Sequence, residues 1–142
     1  MSGRDFVDTN VLVYAVDESE PRKRDRAREI LAGEGAATGL VLSTQVLCEF
    51  YVVATRRLAR PLERAAAASA VGELSKLAVV GSDAQLVADG IRISIDAQLS
   101  LWDALIIAAA RVAGCRRVLT EDLSDGAEIE SVRVENPFAG AA

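Results

Sequence analysis

The chain of 142 residues contains no histidine, and this absence excludes more chemistry than any single motif asserts. Ser-His-Asp and Cys-His triads, histidine-pair ribonuclease chemistry and every histidine-containing zinc site fall with it. Cysteine is nearly missing too. Cys48 and Cys115 lie inside apolar patterns without metal-ligand spacing, which predicts two buried free thiols. No apolar run reaches the length of a membrane span, and Arg4-Asp5 leaves no room for a signal-peptide core. The expectation is a cytoplasmic protein with no membrane partner. Positive charge is short as well: 16 Lys and Arg against 21 Asp and Glu leave a net charge of −5. No sequence-wide basic field draws nucleic acid to such a chain. If it handles phosphodiesters, cations must first neutralise its own acids.

What is present is a core. Hydrophobic residues make up 51% with only 4% aromatic, mostly Ala, Val and Leu, so the interior should be helix-rich and closely packed. The length suits one domain over residues 1–142, and no repeat, linker or low-complexity segment interrupts it.

The first apolar stretch, Phe6 to Tyr14, is broken by Asp8-Thr9-Asn10. Phe6-Val7 reads as the end of a buried strand and Val11 onward as a short helix. Asp8 then sits where strand hands over to helix, the edge at which open α/β sheets bind ligands. Asp8 or Thr9 as a plain helix cap explains the same residues. Pro21 opens a second helix, with Gly33 or Gly35 at its end, whose polar face carries Arg22, Lys23, Arg24, Arg26 and Arg28. Gly39 to Ser43 reads as a short buried strand. A helix follows from Thr44 to about Ala59, with Val46, Leu47, Phe50 and Ala54 on its apolar face and Glu49 at the border. Leu62 to Leu77 predicts an Ala-rich helix, and Val79-Val80-Gly81 a brief strand or an extended link. Ser82 to Gln85 has the form of a capping box, and Gly90 in the helix beyond it permits a close crossing.

Asp103 opens the most apolar helix of the chain, Ala104 to Ala110, where a capping box on Ser100 would explain it structurally. Arg117 to Thr120 reads as a strand that delivers Glu121-Asp122 to its end, and Val132 to Val134 as the last strand. Alternating strands and helices imply a mainly parallel sheet, which brings Asp8 and Asp122 to one edge. Carboxylates gathered there repel unless a cation lies between them, and an oxygen-only donor set suits Mg²⁺ or Mn²⁺. Without metal, that repulsion should leave part of the cluster protonated, so stability falls as pH rises.

Four stretches, Phe6 to Tyr14, Ser43 to Phe50, Ser100 to Ile107 and Leu119 to Leu123, together with the ending Glu135 to Phe138, resemble the PIN domain and more narrowly the VapC-type toxin ribonucleases. The resemblance spans essentially the whole chain. It implies a three-layer α/β/α fold with a central, mainly parallel sheet, and a Mg²⁺- or Mn²⁺-dependent endoribonuclease cutting structured RNA, transfer or ribosomal. On that pattern Asp8, Glu49, Asp103 and Asp122 are the catalytic, metal-binding acids, supported by Thr9, Asn10 and Thr120. Glu121 and Asp125 compete with Asp122 for the last place. Metal-activated water would leave a 5′-phosphate and a 3′-hydroxyl. The resemblance also implies a homodimer silenced by a VapB-type antitoxin. Arg22, Arg24, Arg56 and Arg57, with Arg116-Arg117, are the candidate RNA contacts. Two other readings stand beside it. One is a non-catalytic PIN scaffold binding RNA or protein. The other is a haloacid-dehalogenase-like phosphatase, which needs an acid where this chain has Asn10.

Overall fold

Asp5, Phe6 and Val7 are all fully buried, as a strand covered on both faces requires, and this strand is the axis of the fold. The computed structural model describes residues 3–34 and 39–140. In chain order the elements are β1 (Arg4–Val7), α1 (Thr9–Tyr14), α2 (Pro21–Glu29), β2 (Leu40–Ser43), α3 (Thr44–Arg56) and α4 (Arg64–Leu74). Then come β3 (Ala78–Val80), α5 (Ala84–Ala97), α6 (Leu101–Val112), β4 (Cys115–Leu119), β5 (Glu128–Ile129) and β6 (Val132–Glu135). The six strands form one sheet in the order β3-β2-β1-β4-β6-β5. All neighbours are parallel except β5 and β6.

From β1 the chain steps outward to β2 and β3, then crosses back to β4. Right-handed crossovers therefore place α1 to α4 on one face and α5 with α6 on the other. The packing agrees: α1 lies against α3, α3 against α4, and α5 against α6. The result is the expected three-layer α/β/α arrangement. Ala104 to Ala110 of α6 are all buried, which makes it the core helix its composition predicts. α5 crosses it closely at Gly90, where an added Cβ would stand 2.5 Å from Leu105 Cδ2. The two helices meet at a bend of 116°, and no single helix among the described residues is long and apolar enough to cross a membrane.

Several expectations are corrected. α2 does not stop at Gly33 but passes into a π-helical turn, Ile30–Glu34, that contains it; Gly35, the other expected stop, lies outside the described residues. α3 ends at Arg56, because the Leu62 N–H turns back to the Ala54 carbonyl at 2.9 Å. α4 is accordingly shorter than its Ala-rich stretch, and its N-cap Glu63 makes no side-chain cap bond. Cys48 is exposed while Cys115 is buried. Val46, Phe50 and Ala54 define the buried stripe of α3, and Cys48, about 200° from Val46 around the helix, falls on the opposite side. The cap of α5 is Asp83, which accepts the Leu86 N–H at 2.8 Å. The Ser82 hydroxyl instead lies 3.2 Å from Thr44 Oγ1.

Candidate active site

The parallel register of β1 and β4 ends on the pair Val7 and Leu119, and the Asp8 N–H extends it to the Leu119 carbonyl at 3.1 Å. Asp8 and Thr120 therefore leave the sheet side by side. β2 lies on one side of β1 and β4 on the other; this reversal of strand order opens the crevice where α/β sheets place their ligands.

Asp8 is 7% exposed. Its Oδ1 accepts the Thr9 N–H at 2.7 Å, and its Oδ2 accepts the Thr120 hydroxyl at 2.8 Å and the Asn10 amide at 3.5 Å. It is thus the N-cap of α1 and a site carboxylate at once. Burial pushes its pKa up from 3.8 to about 6, against the lowering effect of the Thr120 and Thr9 bonds. The neighbouring charges of Asp122 and Glu49 push it further the same way. The expected cause was repulsion among acids; the larger cause is loss of water around one of them.

Asn10 organises the other side. Its amide donates to Thr120 Oγ1 at 3.0 Å and to Asp122 Oδ2 at 3.1 Å, while its carbonyl accepts the Glu121 N–H at 3.3 Å. Asp122 is further held by its own N–H, 3.1 Å from Thr120 Oγ1. The two competitors for the last acid face other partners. Glu121 accepts from Tyr14 OH at 2.5 Å and pairs with Lys23 Nζ at 3.2 Å. Asp125 accepts the Asn136 N–H at 2.9 Å. Of the three, Asp122 is the one gathered with Asp8.

Glu49 reaches in from α3 and accepts the Thr9 hydroxyl at 3.3 Å and Gln45 Nε2 at 3.2 Å. The same Gln45 nitrogen lies 3.3 Å from the Trp102 carbonyl, which ties the first turn of α6, and with it Asp103, to Glu49. The Asp103 N–H donates to Ser100 Oγ at 3.1 Å, so the capping explanation also holds. Among the described residues the Asp103 carboxylate is hydrogen-bonded to none of the other three acids. Nor, among those residues, does any group of three acid or thiol side chains stand close enough to hold an ion. A cleft of about 340 Å³ borders the site, lined in part by Thr9, Asn10, Tyr14, Glu49 and Asp122.

The basic run of α2 is spent largely on the fold. Arg24 pairs with Glu18 at 2.6 Å, Lys23 with Glu121, and the Arg26 and Arg28 guanidinium groups donate to the carbonyls of Pro137 and Ala15. Arg22 is exposed. Arg117 clasps buried Asp5 through bonds of 2.8 and 2.9 Å and also bonds Glu135, while Arg116 lies 3.3 Å from the same aspartate. That pair sits toward the other end of β1 and β4 from Asp8. Arg56 and Arg57 are exposed at the end of α3, and Arg57 shares a groove with Glu49. Sequence reasoning passed over Gln45 and the Tyr14–Glu121–Lys23 group. For Gln45 the signal was its position one helical turn before Glu49, where glutamine reaches a carboxylate.

The sequence model of the PIN domain matches residues 6–124, a span that holds all four acids. The chain belongs to the PIN domain family. Several solved structures of similar fold come from toxins or toxin–antitoxin complexes. VapC20 of Mycobacterium tuberculosis, described as a sarcin-ricin loop cleaving toxin, is 24% identical with a TM-score of 0.68, covering 91% of this chain and 98% of that one. A toxin–antitoxin complex from Klebsiella pneumoniae is 20% identical with a TM-score of 0.69, covering 94% and 98%. The DNA-bound VapBC of Salmonella typhimurium is 22% identical with a TM-score of 0.66, covering 96% and 99%. Among curated proteins none matches this sequence. In this PIN domain the Asn10 amide bridges Asp8 and Asp122 where the phosphatase reading needs an acid, and that reading has no footing.

Proposed function

We propose that this PIN domain is a Mg²⁺- or Mn²⁺-dependent endoribonuclease, the toxin of a type II toxin–antitoxin pair. It acts on structured RNA, transfer or ribosomal, works as a homodimer and is silenced by a VapB-type antitoxin. The observation that carries the reading is Asp8: a buried carboxylate at the sheet's switch point, oriented by three donors, whose charged neighbours are two further acids. Such a group gains most from a cation, and an all-oxygen donor set fits Mg²⁺ or Mn²⁺. Asp8, Glu49, Asp103 and Asp122 would hold the ion. Once bound, it would supply Lewis-acid activation of water and of the phosphodiester. The chain's own residues do the positioning. Thr9 and Thr120 fix the two Asp8 oxygens, Asn10 fixes Asp122, and Gln45 fixes Glu49 against the start of α6. Arg56 and Arg57 are the exposed cations best placed to meet RNA phosphates, and Arg22 and Arg24 would be secondary contacts.

The test is cleavage of transfer and ribosomal RNA by the purified protein with Mg²⁺ or Mn²⁺, and its arrest by chelator. Asp8→Asn and Asp103→Asn should each lose about 100-fold or more, the order expected when a charge-stabilising group is removed, while circular dichroism stays that of the parent. Cleavage in excess chelator, or parental activity in either variant, would refute the reading. That no three acids among the described residues stand close enough to hold an ion favours a second one, a PIN scaffold that binds RNA without cutting it. It predicts RNA binding with no metal-induced rise in melting temperature.

A further inference from the structure

Trp102, the only tryptophan in the chain, is 64% exposed, although it stands next to Asp103 at the start of the core helix. It lines a groove of about 580 Å³ with Thr44, Gln45, Cys48, Glu49 and Ser82. Three features of this groove bear on what it takes. Glu49 belongs both to it and to the cleft beside Asp8, so the groove begins at the acids. No lysine or arginine lines it, so it is not built for phosphate. Its lining combines one large π-face with amide and hydroxyl groups: the Gln45 amide nitrogen is engaged by Glu49 and the Trp102 carbonyl, while its side-chain oxygen accepts no bond among the described residues. The Thr44 and Ser82 hydroxyls meet 3.2 Å apart.

We propose that this groove is a nucleotide subsite, in which an unpaired RNA base adjoining the cut phosphate stacks on the Trp102 indole with its edge toward Gln45. A groove with no cation, acidic only at its Glu49 end and lined beyond it by Trp102 and uncharged side chains, separates the parts of a nucleotide. The phosphate goes to the cation at the acids, and the base goes to the ring. Single-stranded RNA is recognised in this manner, by splayed bases on aromatic side chains with their edges hydrogen-bonded. A base inside a duplex cannot reach the indole, so the subsite selects loops or bulges within a structured RNA. The inference rests on the ribonuclease reading and sharpens it.

The lone tryptophan supplies a readout that does not depend on cleavage. In the Asp8→Asn protein, which cuts nothing and leaves the ring to bind the base without help from a cation, a single-stranded RNA 10-mer of mixed sequence should quench Trp102 fluorescence to saturation. The same strand in a blunt duplex, and an abasic ribose-phosphate 10-mer, should not. Trp102→Ala should lower kcat/KM for cleavage by about 10- to 100-fold, the range seen on removing one stacking ring, mainly through KM. Trp102→Phe should recover to within about threefold of the parent. Binding of the labelled 10-mer, followed by anisotropy, without any quenching would overturn the subsite, as would an unchanged kcat/KM in Trp102→Ala. A shift of the Trp102→Ala protein to a smaller mass in sedimentation would also overturn it, by assigning the indole to an interface between copies. Saturable quenching by a parent protein that cuts no RNA with either metal would instead overturn the ribonuclease reading and leave the stacking site standing.

Discussion

Replacing Asp8 with asparagine removes a buried charge while keeping the size of the side chain and one carbonyl oxygen. The folded-state pKa of Asp8, about 6 against an ordinary 3.8, fixes the sign of the effect. The folded protein holds a proton on Asp8 over a pH range in which the unfolded chain has already released it. Stability from this group is therefore complete below about pH 3.8 and is lost as pH rises through about 6. At 1.36 kcal/mol for each tenfold change in proton affinity, the whole loss is about 3 kcal/mol, and about 2 kcal/mol of it falls between roughly pH 4.5 and 7. The substitution has its own cost. The carbonyl oxygen of the introduced amide would keep the bond from the Thr9 N–H, but Thr120 Oγ1 already accepts from Asn10 and from the Asp122 N–H. The amide nitrogen put in place of Oδ2 then meets an oxygen with little capacity left, a mismatch of about 1–3 kcal/mol at any pH. The clean observable is thus the difference between the two proteins as pH changes. In urea titrations with chelator present, Asp8→Asn should be the less stable protein at pH 4.5 and should gain about 2 kcal/mol on the parent by pH 7. Adding Mg²⁺ at pH 7 should restore the parent and leave the variant nearly unmoved, since a cation that binds only the folded state stabilises it by mass action. A difference that stays flat from pH 4.5 to 7 would refute the claim that Asp8 is buried as a costly charge.

Two other substitutions test separate parts of the argument. Asp122→Asn should reduce RNA cleavage by about 100-fold, whereas Glu121→Gln, which alters only the Tyr14 and Lys23 contacts, should stay within about fivefold; equal losses in single-turnover assays would mean that the wrong acid has been singled out. Asp5→Ala leaves the Arg117 guanidinium facing a buried gap and should cost about 3 kcal/mol in urea unfolding, while Asp5→Leu combined with Arg117→Met should recover most of that loss.

The sequence could place Asp8 because its position follows from local rules: a short apolar run broken by three polar residues must leave the sheet there. It could place Ser100 and Asp103 for the same reason, since a cap and the helix it opens are neighbours in the chain. It could not choose among Glu121, Asp122 and Asp125. Their partners lie far off in the chain: Asn10 and Tyr14, more than a hundred residues away, bond Asp122 and Glu121 respectively, and Asp125 accepts the Asn136 N–H. The hairpin of β5 and β6 was hidden for a different reason. Its turn residues Glu130 and Ser131 take φ of 52° and 68°, conformations that sequence reading assigns to Gly or Asn. The run of cations on α2 looked like a surface for RNA because their partners, Glu18, Glu121 and the carbonyls of Ala15 and Pro137, belong to other segments. Near Glu49 the surface offers exposed Arg56 and Arg57 at the end of α3, with Arg57 in a groove that Glu49 also lines, and a second groove lined by Trp102 and free of cations. With a net charge of −5, long-range attraction cannot choose where a phosphodiester lands. If the ribonuclease proposal holds, that choice falls to short-range contacts around Glu49 and Trp102, and a base that is not already paired is the part of RNA best able to make them.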